Sequence, residues 1–164
     1  MRRRVLLPLL ALAGSLAVTA CGPERLEKTE ADLVAAVAEA KARGDTATLW
    51  LYIEVPFAYD RVYIAGPRTP AAQIAEAMKS DAWMPELTRG IENADHFHLL
   101  LFETRGKLVP ATLLRSVADF DPAITGRMYG PEDARFRLQP AASGGAPMLV
   151  ALAATPDSAT SSPE

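Results

Sequence analysis

His-Phe-His-Leu-Leu-Leu-Phe-Glu-Thr-Arg-Gly-Lys-Leu-Val, residues 96–109, is the stretch whose reading decides the fold. Residues 96–103 read as a strand, Arg105-Gly106 as a turn, and 107–109 as the start of the return. That is a β-hairpin by the usual turn chemistry. Pro110 places the return strand at a sheet edge or a bulge, because proline donates nothing to the ladder. Residues 113–120 are expected to continue the sheet.

Downstream, residues 121–133 hold Pro122, Gly126, Gly130 and Pro131 and read as loop. Residues 135–139 form a strand with Phe136 and Leu138 inward and Arg135 and Arg137 outward. Residues 140–147 are a flexible connection, and 148–154 a last apolar strand. Residues 155–164 are rich in Ser, Thr, Ala and Pro, the composition of a disordered tail.

Upstream, residues 46–55 alternate with period two, Ala47, Leu49, Leu51, Ile53 and Val55 on one face and Trp50, Tyr52 and Glu54 on the other. This is the clearest strand pattern in the chain. Residues 61–66 read as a second strand, with Val62 and Ile64 opposite Arg61, Tyr63 and Ala65. Thr69-Pro70 opens a helix whose buried face is Ile74, Ala77 and Met78. Residues 83–92 are irregular.

An earlier helix carries Leu26, Leu33, Val37 and Ala40 on one stripe. Thr29 with Asp32 suggests its cap, and Gly44 its stop. The sum is a single α+β domain over residues 26–154, a mostly antiparallel sheet with two helices packed on one face. Trp50, Tyr52 and Tyr63 are expected on the other face.

Residues 1–20 differ in kind. Three arginines precede an apolar run from Val5 to Val18, and small residues lead to Cys21. A charged n-region, an apolar h-region and a small-residue cleavage point make a signal peptide. The run falls short of the roughly 20 residues of a membrane span. Val18-Thr19-Ala20-Cys21 resembles a lipobox, which identifies the chain with the bacterial lipoproteins. The resemblance implies removal of residues 1–20 and acylation of Cys21, with residues 21–25 as lipidated terminus and tether. It places the protein in the bacterial cell envelope, in the outer membrane facing the periplasm if the host has two membranes, since Gly22 rather than aspartate follows the cysteine. Two or more acyl chains hold a protein firmly to a bilayer. The alternative is a secreted protein with an ordinary thiol at Cys21. Arg2-Arg3-Arg4-Val5-Leu6 also weakly resembles a twin-arginine signal, which would imply export in the folded state.

Composition agrees with that address. Cys21 is the one cysteine, so the chain has no internal disulfide to form. The chain has 17 basic and 20 acidic residues. Three of the arginines lie in the leader, so the remaining 144 residues hold 14 basic against 20 acidic, a net charge of −6. Such a balance argues against nucleic acid, which needs clustered Lys and Arg. It argues equally against direct adsorption to anionic lipid. The lipid anchor is therefore the expected membrane contact.

Two segments carry candidate chemistry. His96 and His98 fall on the same side of one strand, where paired imidazoles can share a metal ion if a third ligand joins them. Tyr59-Asp60-Arg61-Val62-Tyr63-Ile64-Ala65-Gly66-Pro67-Arg68-Thr69-Pro70 alternates aromatic and charged residues and runs into a helix start, where free N–H groups can take an anion. A binding site around Tyr59, Asp60, Arg61, Tyr63 and Arg68 is the functional reading; a salt bridge and packing aromatics are the structural one. The segment also resembles one in small exported bacterial proteins of unknown function. Tyr59 stands where those have tryptophan and Arg68 where they have tyrosine, and the resemblance implies no activity.

No Gly-x-Ser-x-Gly, glycine-rich phosphate loop or cofactor motif is legible. Asp119, Asp121, Glu132 and Asp133 read as loop solvation rather than acid–base pairs. The expectation is a non-enzymatic envelope lipoprotein that binds another envelope protein through an exposed aromatic patch. A metal-binding protein using His96 and His98, or an enzyme with an unrecognised site, are the alternatives.

Overall fold

The computed structural model describes residues 23–44, 47–79, 88, 90–140 and 145–152. The leader, Cys21 and the 155–164 tail lie outside the described residues. The chain is an α+β protein dominated by antiparallel sheet. In order it runs α1 (Pro23–Arg43), β1 (Thr48–Trp50), α2 (Leu51–Glu54), β2 (Arg61–Ala65), α3 (Ala71–Met78), a 3-10 turn (Ile91–Asn93), β3 (Phe97–Thr104), β4 (Lys107–Leu114), β5 (Asp119–Phe120), β6 (Arg127–Tyr129), β7 (Arg135–Gln139) and β8 (Met148–Ala151).

The strands form two sheets rather than one. The first has the order β1-β7-β8-β5 and the second β4-β3-β2-β6. Among the described residues, all pairings are antiparallel except β5 with β8. The hairpin is as expected, with β3 and β4 paired from Phe97↔Leu114 to Thr104↔Lys107. Its two turn residues both adopt positive φ, 49° at Arg105 and 72° at Gly106, as a type I′ connection requires. Pro110 sits in β4 at the edge of the second sheet, where its missing N–H costs no ladder bond.

The second sheet is buried on both faces. Val62, Ile64, Leu100 and Phe102 face a core shared with α1 and the first sheet, through Leu33, Val37, Leu49 and Phe136. Tyr63, Ala65, Leu99 and Leu101 face a smaller core with Ile74 and Met78 of α3 and Ile91. The two long helices therefore lie on opposite faces of this sheet, not on one. The unbroken apolar run Leu99–Phe102 is the mark of a strand covered on both sides. The anticipated exposed aromatic face accordingly fails at Tyr63, which is fully buried.

Helix α1 begins at Pro23, so Thr29 lies inside it and is buried, while Asp32 pairs with Lys28 at 2.7 Å. The cap expected at Thr29 is therefore absent. Gly44 does end the helix, at φ 96°, with its N–H on the Lys41 carbonyl. Glu30 reaches from α1 to β4, where its carboxylate accepts from the Thr112 N–H at 2.8 Å and hydroxyl at 2.6 Å. An outward-pointing donor of an edge strand is thereby occupied.

The strand expected over 46–55 stops at Trp50. Leu51 and Val55 are buried while Ile53 is 65 % exposed. Burial at positions four apart is the signature of a helical turn, not of alternation. The Val55 N–H on the Leu51 carbonyl closes that turn. Residues 113–120 also divide: β4 ends at Leu114, and β5 joins the other sheet. β6 lies inside the stretch read as loop.

Candidate functional site

The short β1–α2 corner presents the most exposed aromatic and aliphatic surface of the described residues. Tyr52 is 44 % and Ile53 65 % exposed, side by side on the turn that follows β1. Trp50 packs against Tyr52. Its indole N–H donates to the Pro131 carbonyl at 2.8 Å, and the Arg135 guanidinium stacks 4.0 Å from its ring centre. Glu132 holds Arg135 at 2.9 Å. The Trp50 and Tyr52 rings lie 5.9 Å apart, and Tyr52 meets Tyr59 at 6.2 Å. Tyr59 in turn packs edge-on to Phe102 in the main core. Tyr52 thus rests on a continuous aromatic column rather than on a mobile loop.

The 59–70 segment does not converge. Tyr59 is buried in the main core, and burial, reinforced by Glu132 and Tyr52, pushes its hydroxyl pKa well up. Asp60 accepts the Arg105 N–H at 2.8 Å and so pins the hairpin turn. Arg61 grips Glu103 with Nε at 2.9 Å and Nη2 at 2.7 Å, and Nη2 also donates to the Met78 carbonyl at the end of α3. Tyr63 points to the opposite core, where burial raises its pKa too. Arg68 is exposed at φ 60°, 3.7 Å from Asp95. Arg61 and Arg68 stand at opposite ends of β2, so they do not clamp one ligand.

The helix start expected to receive an anion is occupied by the protein itself. Glu92 accepts the Ala71 N–H at 2.6 Å. Thr69 is not the cap; its hydroxyl donates back to the Gly66 carbonyl at 2.7 Å.

The two histidines part company. His96 is exposed beside Asp95 at 3.8 Å. His98 is 1 % exposed, and its Nε2 lies 2.7 Å from Asp119 Oδ1. Among the described residues, no group of three or more His, Cys, Asp or Glu is placed to hold a metal. Asp119 takes two further bonds from Arg115, from Nε at 3.0 Å and Nη2 at 2.6 Å. Burial alone would raise the Asp119 pKa, but the hydrogen bonds from Arg115 and His98 outweigh it and hold the carboxyl below its usual range.

Sequence reading missed Arg135, Glu132 and Pro131 as partners of Trp50, and Asp119 as partner of His98. The first set depends on the β1–β7 register, Trp50↔Arg135, across 85 residues of chain. No local signal marks it. An open depression of about 170 Å³ lined by Lys41, Gly44, Leu138, Pro140 and Pro147 offers little polar chemistry. Among the described residues, no helix is long and apolar enough to cross a membrane. Comparison with protein-family models, curated proteins and solved structures yields no match.

Proposed function

We propose that this chain is a bacterial envelope lipoprotein, anchored through Cys21, that works as a binding module for another envelope protein. The observation that carries the binding reading is the exposed pair Tyr52 and Ile53, with Tyr52 packed against Trp50 and Trp50 held by Arg135 and Glu132. Aromatic and arginine side chains held rigid in advance are the usual anchors of protein interfaces, because little entropy remains to be lost on binding. Helix α1 begins at Pro23, two residues after the cysteine. An anchor there would hold the folded domain close to the bilayer, within reach of other membrane-attached proteins.

Crosslinking in intact cells followed by co-purification tests the surface. Wild type is expected to bring down a defined partner, and Tyr52→Ala with Ile53→Asp to lose it while remaining folded. Retention of the partner by that double variant would remove this surface from the proposal. The address is tested separately: Cys21→Ser is expected to abolish incorporation of labelled fatty acid and to block leader cleavage. Normal processing of Cys21→Ser would remove the anchor.

A further inference from the structure

The buried cluster around His98 belongs to neither the anchor nor the exposed aromatic surface. It lies between the sheets, with His98 on β3 of one and Asp119 on β5 of the other. Asp119 is fixed as an anion by Arg115, whose Nη1 also donates to the Asp95 carbonyl at 2.9 Å. A carboxylate only accepts, so the Nε2 of His98 carries the proton and donates to it. The Phe120 ring packs edge-on to the imidazole at 5.1 Å, and the Phe120 backbone N–H lies 3.2 Å from the same nitrogen, which carries its own proton and so accepts no bond from it. Nδ1 is left as a buried atom with no hydrogen-bond partner.

We propose that His98, Asp119 and Arg115 form a proton-operated latch between the two sheets, closed while the imidazole is neutral and released by acidification. A second proton must go to Nδ1, which has no acceptor in bonding geometry and no contact with water. A buried donor without a partner costs the desolvation it has lost. Asp119 and Arg115 are the charged groups acting on the ring, and their effects oppose each other. The Ala65 carbonyl on β2 also favours the proton, too weakly to offset burial, and Leu113, opposite on β4, is neutral. Burial outweighs Asp119 and holds the imidazole below its ordinary 6.5. The open state therefore takes up a proton that the closed state refuses. Latch stability is full above pH 6.5 and is lost as pH falls from there toward the lower closed-state value. Loss of the Asp119 charge comes later, as pH falls through and below 3.8.

Three measurements on the full chain test this. Native-state NMR titration is expected to find His98 below 6.5; a His98 value at or above 6.5 overturns the latch. Urea unfolding between pH 7.5 and 5.5 is expected to show the unfolding constant rising by up to about tenfold per pH unit in wild type. The His98→Gln variant, which keeps a donor but cannot titrate, is expected to lose that rise; an unchanged pH dependence overturns the latch. Should the variant not fold, the wild-type titration decides. Corrected amide protection at Phe120 is expected to fall on acidification before that at Leu100; equal loss at both sites overturns a local release.

Discussion

The β3–β4 hairpin and the β1–α2 corner both carry strand patterns, and only the hairpin is strand throughout. In the hairpin, each residue from Phe97 to Leu101 has a paired neighbour on β4 and another strand, β2, on much of its far side. Its turn chemistry is local, Arg105-Gly106. In the corner, alternation from Ala47 to Val55 is equally clean, yet pairing with β7 covers only Thr48, Leu49 and Trp50. Beyond Trp50 the Leu51 N–H turns to the Ala134 carbonyl, and the backbone closes a helical turn instead. Alternation is a statement about one face. Whether a strand persists depends on how long its partner is.

The largest break in this comparison lies in the hairpin core. Phe102 is fully buried, with Phe57 edge-on at 5.5 Å and Tyr59 at 5.1 Å. Phe102→Ala removes the ring that the aromatic column stands on. The expected loss is about 3–5 kcal/mol in urea unfolding. A cost under about 1 kcal/mol would mean that the column is not packed as described.

The corner has a sharper test, because strand and turn predict opposite results. On a strand Leu51 and Ile53 would share one face and cost alike when truncated. On the turn Leu51 is buried and Ile53 is 65 % exposed. Leu51→Ala is expected to cost about 2–5 kcal/mol and Ile53→Ala less than about 0.5 kcal/mol. Equal losses would restore the strand and bury the proposed binding surface with it.

What was legible follows the same division. Elements made by nearby residues could be read: the hairpin, the α3 face through Ile74 and Met78, and the β7 alternation of Phe136 and Leu138. The sorting into two sheets was not legible, because it rests on β1 meeting β7 and on β5 joining β8. The helices lie on opposite faces because β2 and β3 are buried on both sides, a feature marked in the sequence by the unbroken apolar run Leu99–Phe102. The candidate segment shows the limit most plainly. Tyr59 to Arg68 was readable as strand and turn, but alternation sent Tyr59 and Tyr63 to different cores. The partners of Trp50 and His98 come from remote elements, and no spacing announces them.

The smallest effect sharpens the hairpin side of the comparison. Arg105 at φ 49° occupies the left-handed region, which suits Asn or Gly better than a long side chain. Its N–H is held by Asp60, and any residue but proline keeps that bond. Arg105→Asn is therefore expected to stabilise the protein by about 0.5 kcal/mol, by supplying the Asn-Gly pair that two-residue hairpins favour. Gly106→Ala should move the other way by about 1 kcal/mol, from strain alone, since its φ is 72° and a new Cβ meets nothing within 4 Å. Opposite signs at adjacent residues, read as shifts in unfolding midpoint, would show that the turn itself sets the register. Equal signs would move that role to the β3–β4 pairing, and the hairpin would then depend on its partner as the corner does.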